Sequence, residues 1–501
     1  MKIMLLAFEV EGFPLLELAK MLKEEGHDPV MVHCDLYAVT RQRGEQLMAR
    51  YEREGISYRN LKQPYQQLHN TTDYKVDWNY LRDFEKRECH SKGIEQLRLT
   101  HEMFGHNFRY PRYRTASNEQ LYFWMELMIR WCEAQWDDIK PDLIFTLERN
   151  YFVKNVFHQM SIARKTRMLT LVISRVRSGV YFSEIFGLGS SPAFRQALEK
   201  KVPGESAKEF IDHFIHNNSF STYDGSLTEI MAKAEKYKAG PVLKELRRRW
   251  GVIYRNKQIR FNPHGENYMT GIPKLLYRHA LRNAVNQIHF GRSRERVFRR
   301  GLPDKPFLYF PLHTLPESSA LTLSNEYYED DLIRYISKEL PAGTCIVVKE
   351  NPLMIGDRPS SYYRRLTEIP NVYLIDPLAS SKEILAACAG VSGLSGTALL
   401  EGTILGKPAH CFGLPEFIDI VPFRGYEQFP DFVRHCFGED TPLPKALPVE
   451  KYIQYMLDES IHVNWREMLY GQGSEQQKSD VRLVGERLLH LMTLGSLDDH
   501  P

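Results

Sequence analysis

The sequence predicts an α/β protein with two Rossmann-like domains that face a cleft, with a helical region inserted between them. Three observations support this. The chain has 501 residues, about three times a typical domain. Buried-strand patterns alternate with helical patterns near both ends, and the middle has helical patterns without a clear strand. We expect domains at 1–190 and 305–501, the second including the terminal helices, and a basic connecting region at 191–304.

The N-terminal domain is predicted from β-α-β patterns. Pro14 opens the first helix and Gly26 is its expected C-cap. Ser117 and Gln120 have the spacing of a capping box at the start of a long amphipathic helix. The predicted elements are strands at 3–8, 29–34, 142–147 and 168–173, with helices from Pro14, at 117–138 and at 152–162.

The C-terminal domain shows a second strand–helix alternation. Glu329, Asp330 and Asp331 fall in the first turn of one predicted helix, where the helix dipole favours acids. Because open α/β sheets bind ligands at the carboxyl ends of their strands, we look for a site there. The predicted strands lie at 307–310, 344–348, 372–375, 391–392 and 408–412, and the helices at 325–340, 360–367, 381–388 and 397–405.

Composition excludes several classes of protein. With 43% hydrophobic and 26% charged residues, the chain is typical of soluble globular proteins. No segment reaches the ~18 apolar residues of a membrane span, and the apolar start at 3–8 is too short for a secretory signal. Seven scattered cysteines without a C-x-x-C spacing favour free thiols over disulfides or a zinc site. We therefore expect a cytoplasmic protein.

Charge is distributed unevenly along the chain. The total is +3, but residues 241–300 contain fifteen Lys and Arg against three acids, a net +12, which leaves −9 elsewhere. This basic region predicts peripheral contact with anionic lipid at the inner membrane face, or with an acidic glycan. The alternatives are a solvated linker and ion pairing with the acidic remainder. Nucleic acid is not expected as a partner, because no stacking aromatic motif accompanies the arginines.

The most informative segment is Gly393–Thr397, between a predicted strand and a predicted helix. Glycines and hydroxyl side chains at a helix start form an anion site when a negative group has access; otherwise they only cap the helix. Glu401 lies one turn into this apolar helix, where a carboxylate needs partners. A ribose diol would supply them, and a glutamate paired with Lys407 or facing solvent is the alternative.

A second group of polar residues follows the strand at 344–348. Pro352 stops this strand, so Lys349 and Asn351 are expected to project from its carboxyl end, and Arg358 follows in the next loop. These basic side chains would neutralise a nucleotide phosphate, or they form an ordinary basic loop.

A third group, His313 and Glu317, follows the first strand of this domain. Two prolines make the loop rigid enough to hold both side chains. His313 is a candidate catalytic residue, with a structural hydrogen-bonding histidine as the alternative. Glu317 is a candidate for contacts with acceptor or other ligand groups.

Four segments of the C-terminal half together resemble the capsule polysaccharide biosynthesis family, which includes the Kdo transferases of bacterial surface glycans. The segment LVISRVRSGVYFSEIFG (171–187) fits this family more loosely. The four matching segments are PLHTLPESS (311–319), PAGTCIVVKENPLMIGDRPSSYY (341–363), IPNVYLIDP (369–377) and SGLSGTALLEGTILGKPAHCFG (392–413).

The resemblance implies a glycosyltransferase-B architecture, with the donor nucleotide on the C-terminal domain and the acceptor on the N-terminal one. Two positions depart from the family pattern: Asn351 stands where His is usual, and His313 where Gln is expected. An Asn can donate a hydrogen bond but cannot titrate. The residues that match are Lys349 and Pro352 in the family's K-E-H-P stretch, Ser395, Gly396 and Thr397 in its phosphate loop, and Glu401 on the following helix.

A catalytic carboxylate is expected at a strand end of the N-terminal domain. Glu148 follows the strand at 142–147, Glu9 follows the first strand, and Glu184 lies nine residues after Arg175, a candidate acceptor contact. An inverting reaction needs one base, whereas one route to retention uses a carboxylate nucleophile. The sequence does not choose between them.

The function that these features predict is glycosyl transfer from a nucleotide sugar, CMP-Kdo-like by the resemblance, to a glycan or glycolipid acceptor in capsule or surface polysaccharide synthesis. No D-x-D motif suits a divalent cation at a strand end, so we expect no metal or other cofactor. Two alternatives are open. One is a nucleotide-sugar epimerase or hydrolase on the same scaffold, and the other is a non-catalytic glycan-binding or export-assembly protein.

Overall fold

The computed structural model contains two α/β units. It describes residues 1–35, 42–90, 92–100, 117–147, 151–177, 179–184, 192–216, 294, 296–315, 328–354, 358, 360–438, 441–471 and 473–493. The first unit combines residues up to 186 with those from 459 onward, and the second contains most of the rest. Most of the basic region 241–300, and the predictions made for it, therefore lie outside the described residues.

The first unit contains a six-stranded sheet with the order β3-β2-β1-β4-β5-β6. Its strands pair in parallel except for β6, which is antiparallel to β5 and forms a hairpin with it. β1, β2 and β4 are almost entirely buried, as parallel strands covered on both faces must be. The strands are β1 (Lys2–Ala7), β2 (Asp28–His33), β3 (Ser57–Arg59), β4 (Leu143–Thr146), β5 (Arg167–Ile173) and β6 (Val180–Ser183).

Helices cover this sheet. The predicted capping box begins α6, where Ser117 Oγ accepts from Gln120 N at 3.2 Å and the Gln120 side chain accepts from Ser117 N at 2.8 Å. Gly26 has a φ of +81°, as expected after the first helix. The helices are α1 (Gly12–Glu24), α2 (Gln42–Glu54), α3 (Lys62–Asn70), α4 (Trp78–Glu88), α5 (Ile94–Arg98), α6 (Asn118–Ile139) and α7 (Phe152–Ala163).

The second unit contains a sheet with the order β12-β11-β10-β7-β8-β9, in which all pairs are parallel. Its strands are β7 (Phe307–Pro311), β8 (Cys345–Lys349), β9 (Val372–Ile375), β10 (Gly390–Gly393), β11 (Ala409–Cys411) and β12 (Phe423–Arg424). Its helices are α8 (Pro192–Lys200), α9 (Glu205–His216), α10 (Glu329–Glu339), α11 (Ser360–Thr367), α12 (Ser381–Ala387), α13 (Thr397–Ile404), α14 (Phe429–Cys436) and α15 (Val449–Glu459). The predicted α/β class with two Rossmann-like units is confirmed.

The last two helices, α16 (Trp465–Tyr470) and α17 (Glu475–Thr493), belong to the first unit, whereas the sequence analysis assigned them to the second domain. Val484 and Leu488 of α17 are buried in one apolar cluster with Leu5 of β1 and Leu18 of α1. Gly485 lets the helices approach closely, since a Cβ there would lie 2.7 Å from Cε of Met21. Burial of this apolar face brings the chain end back to its beginning.

Both sheets reverse strand order once. The reversal lies between β1 and β4 in the first sheet and between β7 and β10 in the second. Loops that leave the carboxyl ends of the two strands diverge at such a point, and ligands of open α/β sheets bind in the space between them. No helix in the described parts of the chain is long and apolar enough to span a membrane.

Candidate functional site

The strand order of the second sheet brings three of the predicted segments to one edge. β10, β7 and β8 are neighbours, and all run in the same direction. Pro311 at the end of β7 pairs with Lys349 at the end of β8, and Leu312 N donates to Lys349 O at 2.9 Å. The segments that follow these three strands therefore meet at the strand-order reversal. This is the candidate site.

The Gly396 backbone and the start of α13 form the floor of this site. Gly396 is the N-cap residue of α13, with φ −72° and ψ 157°, and having no side chain it leaves the first turn of the helix without a side-chain cap. Gly393 O and Leu394 O accept from the amides of Phe412 and Gly413, which ties the preceding loop to the end of β11. The positive end of the helix dipole and the amides of the first turn suit an anion.

His313 faces this floor. A Cβ built on Gly396 would lie 3.1 Å from Nε2 of His313. The imidazole is buried, with 6% of the residue exposed, and its Nε2 has no hydrogen-bond partner among the described residues. The opposite side of the ring is held by Glu329, whose Oε1 lies 3.1 Å from Nδ1 and accepts from the His313 amide at 2.6 Å. An unpaired ring nitrogen is thus aimed at a helix N terminus.

Lys349 and Glu401 form the second charged part of the site. Lys349 Nζ donates to Ser381 Oγ at 2.7 Å. Burial lowers the pKa of Lys349 to about 8, against the opposing effect of Glu401 and Asp376. Burial likewise raises the pKa of Glu401 to about 7, against the effect of Lys349. Burial thus disfavours the charged form of both groups, which is the condition in which ligand hydroxyls are favourable neighbours.

Arg358 is buried and ion-paired, whereas the sequence analysis expected it to neutralise a nucleotide phosphate. Only 7% of its side chain is exposed, and its Nη2 donates to Glu329 Oε2 at 2.7 Å and to His313 O at 2.5 Å. Its Nε lies 3.3 Å from Glu350 Oε2, which also accepts from Tyr363 at 2.8 Å. Arg358 therefore holds the loop that carries His313, while its Nη1 has no hydrogen-bond partner among the described residues. Direct contact with a nucleotide stays a prediction.

Asn351 and Pro352 lie beside this network. The Asn351 amide donates to Glu350 Oε1 at 2.7 Å, and Pro352 begins a short 3-10 helix that ends at Met354. Both residues follow β8 at the carboxyl edge of the sheet, as the sequence predicts. Ser395 is fully buried and Thr397 partly exposed at the start of α13.

The first unit separates the predicted carboxylates. Glu184 follows β6, which runs antiparallel to β5, so it lies near Arg167 at the amino end of β5; its carboxylate accepts from Arg167 Nε at 2.6 Å. A catalytic carboxylate was expected at the opposite, carboxyl edge, so the prediction for Glu184 is not supported. Arg175 follows β5 at the carboxyl edge. Glu148, Glu317 and the side chain of Glu9 lie outside the described residues.

At the reversal point of the first sheet lies a buried ion pair that the sequence analysis missed. Glu11 follows β1 and Lys154 lies in the first turn of α7, beyond β4. Lys154 Nζ lies 2.6 Å from Glu11 Oε2, which also accepts from the Phe8 amide at 2.9 Å. Lys154 is fully buried and Glu11 is nearly so. The pair joins the two diverging loops at the position where a ligand site of this unit is expected.

Glu329, Glu350 and the Glu11–Lys154 pair were not identified as site residues from the sequence. Glu329 was interpreted only as a favourable acid in the first turn of a helix, a property it shares with Asp330 and Asp331. A signal was present for Glu11, because it lies in the short segment between β1 and α1, at a predicted carboxyl edge. Among the residues that the structure describes, no group of three His, Cys, Asp or Glu side chains could hold a metal ion.

Comparisons of sequence identify no relative. No protein-family model matches the chain, and no curated protein sequence matches it significantly.

Several solved structures are similar in outline. For the KpsC β-Kdo 2,7-transferase of Thermosulfurimonas dismutans, sequence identity is 12%, the match covers 74% of this chain and 90% of that one, and the TM-score is 0.30. For the UDP-GlcNAc 2-epimerase of Neisseria meningitidis, sequence identity is 10%, the match covers 98% of this chain and 100% of that one, and the TM-score is 0.22. For the calicheamicin glycosyltransferase CalG4, sequence identity is 12%, the match covers 99% of both chains, and the TM-score is 0.21. Because all three TM-scores are below 0.5, the fold rests on the sheet topology of this chain.

Proposed function

We propose that the protein is a glycosyltransferase that takes its sugar from a nucleotide-sugar donor and binds the donor phosphate on the second unit, at the start of α13. The observation that carries this proposal is the meeting of three loops at the strand-order reversal. They bring His313, the helix N terminus at Gly396 and the side chains of Lys349 and Glu401 to one edge of the sheet. An anion fits the helix start, and a diol fits the desolvated carboxylate.

The finer form of the proposal follows the family resemblance. The donor is CMP-Kdo-like, the acceptor is a glycan or glycolipid bound by the first unit, and the product is part of a capsule or other surface polysaccharide. The basic region 241–300 would hold the protein at an anionic inner membrane face. Catalysis would consist mainly of positioning and stabilisation of the departing phosphate, without a metal, assisted by one carboxylate of the first unit.

Nucleotide binding tests the proposal directly. We expect one nucleotide in a panel of CMP, UDP and GDP to raise the melting temperature, since ligand at 100 times its Kd stabilises by about 2.7 kcal/mol. Glu401→Ala and Ser395→Ala should abolish this shift. Glu368→Gln, an exposed glutamate at the end of α11, is the matched control and should keep it. The proposal is wrong if none of the three nucleotides changes the melting temperature.

Product analysis then separates transfer from other reactions on a nucleotide sugar. Free or isomerised sugar formed without an acceptor would indicate a hydrolase or epimerase. Nucleotide binding without any product, in the presence of a glycan acceptor, would indicate a non-catalytic binding protein.

A further inference from the structure

Next to His313, on the side away from Gly396, two buried acids share one arginine. Glu329 lies at the start of α10, Glu350 follows β8, and Arg358 lies between β8 and α11. Both carboxylates contact the same guanidinium, at 2.7 and 3.3 Å. Glu329 and Glu350 have fully buried side chains and Arg358 is 7% exposed. With both acids ionised, the group carries one negative charge more than it has positive charges, which is costly in a buried site.

One added proton would neutralise this group, and Glu350 can hold it. Burial raises the pKa of Glu350 to about 7, although Arg358 opposes the shift. Burial also acts to raise the pKa of Glu329, but Arg358 and His313 outweigh it and the pKa is lowered. Glu329 is therefore the ionised acid next to the imidazole.

The Glu329 carboxylate fixes the orientation of the His313 protons. An ionised carboxylate only accepts hydrogen bonds, so Nδ1, which lies 3.1 Å from Glu329 Oε1, must carry a hydrogen. In the neutral ring Nε2 is then a bare acceptor. Nε2 can donate to an anion at Gly396 only when the ring is an imidazolium.

We propose that His313 binds the donor phosphate as an imidazolium, and that Glu329 is the positioning residue that holds Nδ1–H and presents Nε2–H to the start of α13. This inference rests on the proposed phosphate site. The described groups that bear on the ring charge are Glu329 from α10, Arg358 from the loop before α11, and Glu350 beyond Arg358. The central carbon of the Arg358 guanidinium lies 4.8 Å from the ring centre of Tyr362. Tyr362 stays neutral because burial raises its pKa.

Sulfate is the probe that tests this inference on the full chain. Unlike phosphate, sulfate remains a dianion between pH 5.5 and 8, so a change in its affinity reports the protein. We expect wild-type affinity to fall at least about tenfold as pH rises over this range. His313→Gln retains a hydrogen-bonding side chain without a titrating group, so its sulfate affinity should change less with pH than that of wild type. The change that remains reports Lys349 and Glu401 in the same site.

Glu329→Gln tests the positioning role. It should weaken sulfate binding at pH 5.5 by about tenfold, the loss expected for one charge-assisted hydrogen bond. Asp331→Asn is the matched control, because Asp331 occupies the same helical turn but is exposed; it should bind sulfate as wild type does. If Glu329→Gln does not fold, as shown by circular dichroism, the comparison of wild type with His313→Gln decides.

Three results would overturn the inference: wild-type affinity that does not change with pH, a His313→Gln variant with the wild-type pH profile, or a folded Glu329→Gln variant that binds sulfate normally at pH 5.5. These differ from failure of the proposed function, which is the absence of nucleotide binding. If sulfate binding depends on pH but no nucleotide binds, His313 still binds an anion as an imidazolium, but that anion is not the phosphate of a nucleotide sugar.

Discussion

Nε2 of His313 and the backbone of Gly396 face each other across the strand-order reversal of the second sheet, where a Cβ on residue 396 would lie 3.1 Å from the ring nitrogen. The two residues follow β7 and β10, which are neighbours in the sheet but lie far apart in the sequence. The space that Gly396 leaves open is also the space in front of the helix N terminus. An anion bound there would contact both.

Filling this space should weaken anion binding. Gly396→Ala adds one methyl group against Nε2, and its backbone, with φ −72°, accepts alanine without strain. We expect at least about a tenfold loss of nucleotide or sulfate affinity with little change in the melting temperature, measured by isothermal titration and thermal unfolding. Gly393→Ala is the control, because its Cβ would be 3.9 Å from its nearest neighbour. Equal affinities of the two variants would contradict the prediction.

The burial of Glu401 should make stability depend on pH. Its pKa is raised from 4.5 to about 7, so the folded protein holds this proton more tightly than the unfolded chain does. This contribution to the free energy of unfolding is present below pH 4.5 and is lost as pH rises through 7. Relative to wild type, Glu401→Gln should therefore gain about 2–3 kcal/mol between pH 4.5 and 7.5.

Chemical denaturation at several pH values measures this difference. The exposed Glu368→Gln variant should keep a constant difference from wild type over the same range. A constant difference for Glu401→Gln as well would show that the pKa of Glu401 is the same in the folded and unfolded protein.

Loss of Arg358 should destabilise the second unit without any ligand. Arg358→Met leaves Glu329 and Glu350 buried without their shared cation, a change that costs about 3–5 kcal/mol. Arg365→Met is the matched control: Arg365 lies in the same region, but 48% of its side chain is exposed and it pairs with Asp330 at 3.4 Å. We expect the control to cost less than about 1 kcal/mol. A stable Arg358→Met protein that had lost only nucleotide affinity would instead indicate that Arg358 contacts the nucleotide directly.

The Glu11–Lys154 pair should behave as a buried ion pair. Glu11→Gln strands the fully buried Lys154 and is expected to cost about 3–5 kcal/mol, and Lys154→Met in the same chain should recover much of this loss. Thermal and urea unfolding of the single and double variants give the comparison. The exposed pair Arg482–Glu486 is the control, and Glu486→Gln should cost less than about 0.5 kcal/mol. Additive losses in the double variant would show that the two charges do not interact.

The sequence by itself determined the two α/β sheets and most of their elements. Helix and strand periodicities, the Ser117–Gln120 capping box and Gly26 after α1 are local signals, and each recurs in the structure within a few residues. The three loops at one edge of the second sheet were predicted for the same reason: each is the segment that follows a recognisable parallel strand.

Only the tertiary structure decided which distant residues meet. Glu329 and His313 are 16 residues apart and Glu11 and Lys154 are 143 apart, so no local pattern marks either pair. The antiparallel turn of β6, which moves Glu184 to the other edge, and the return of α17 to α1 depend on sheet order and on burial of apolar faces. Local backbone preferences specify the helices and strands, whereas tertiary packing decides which residue pairs with a buried charged side chain.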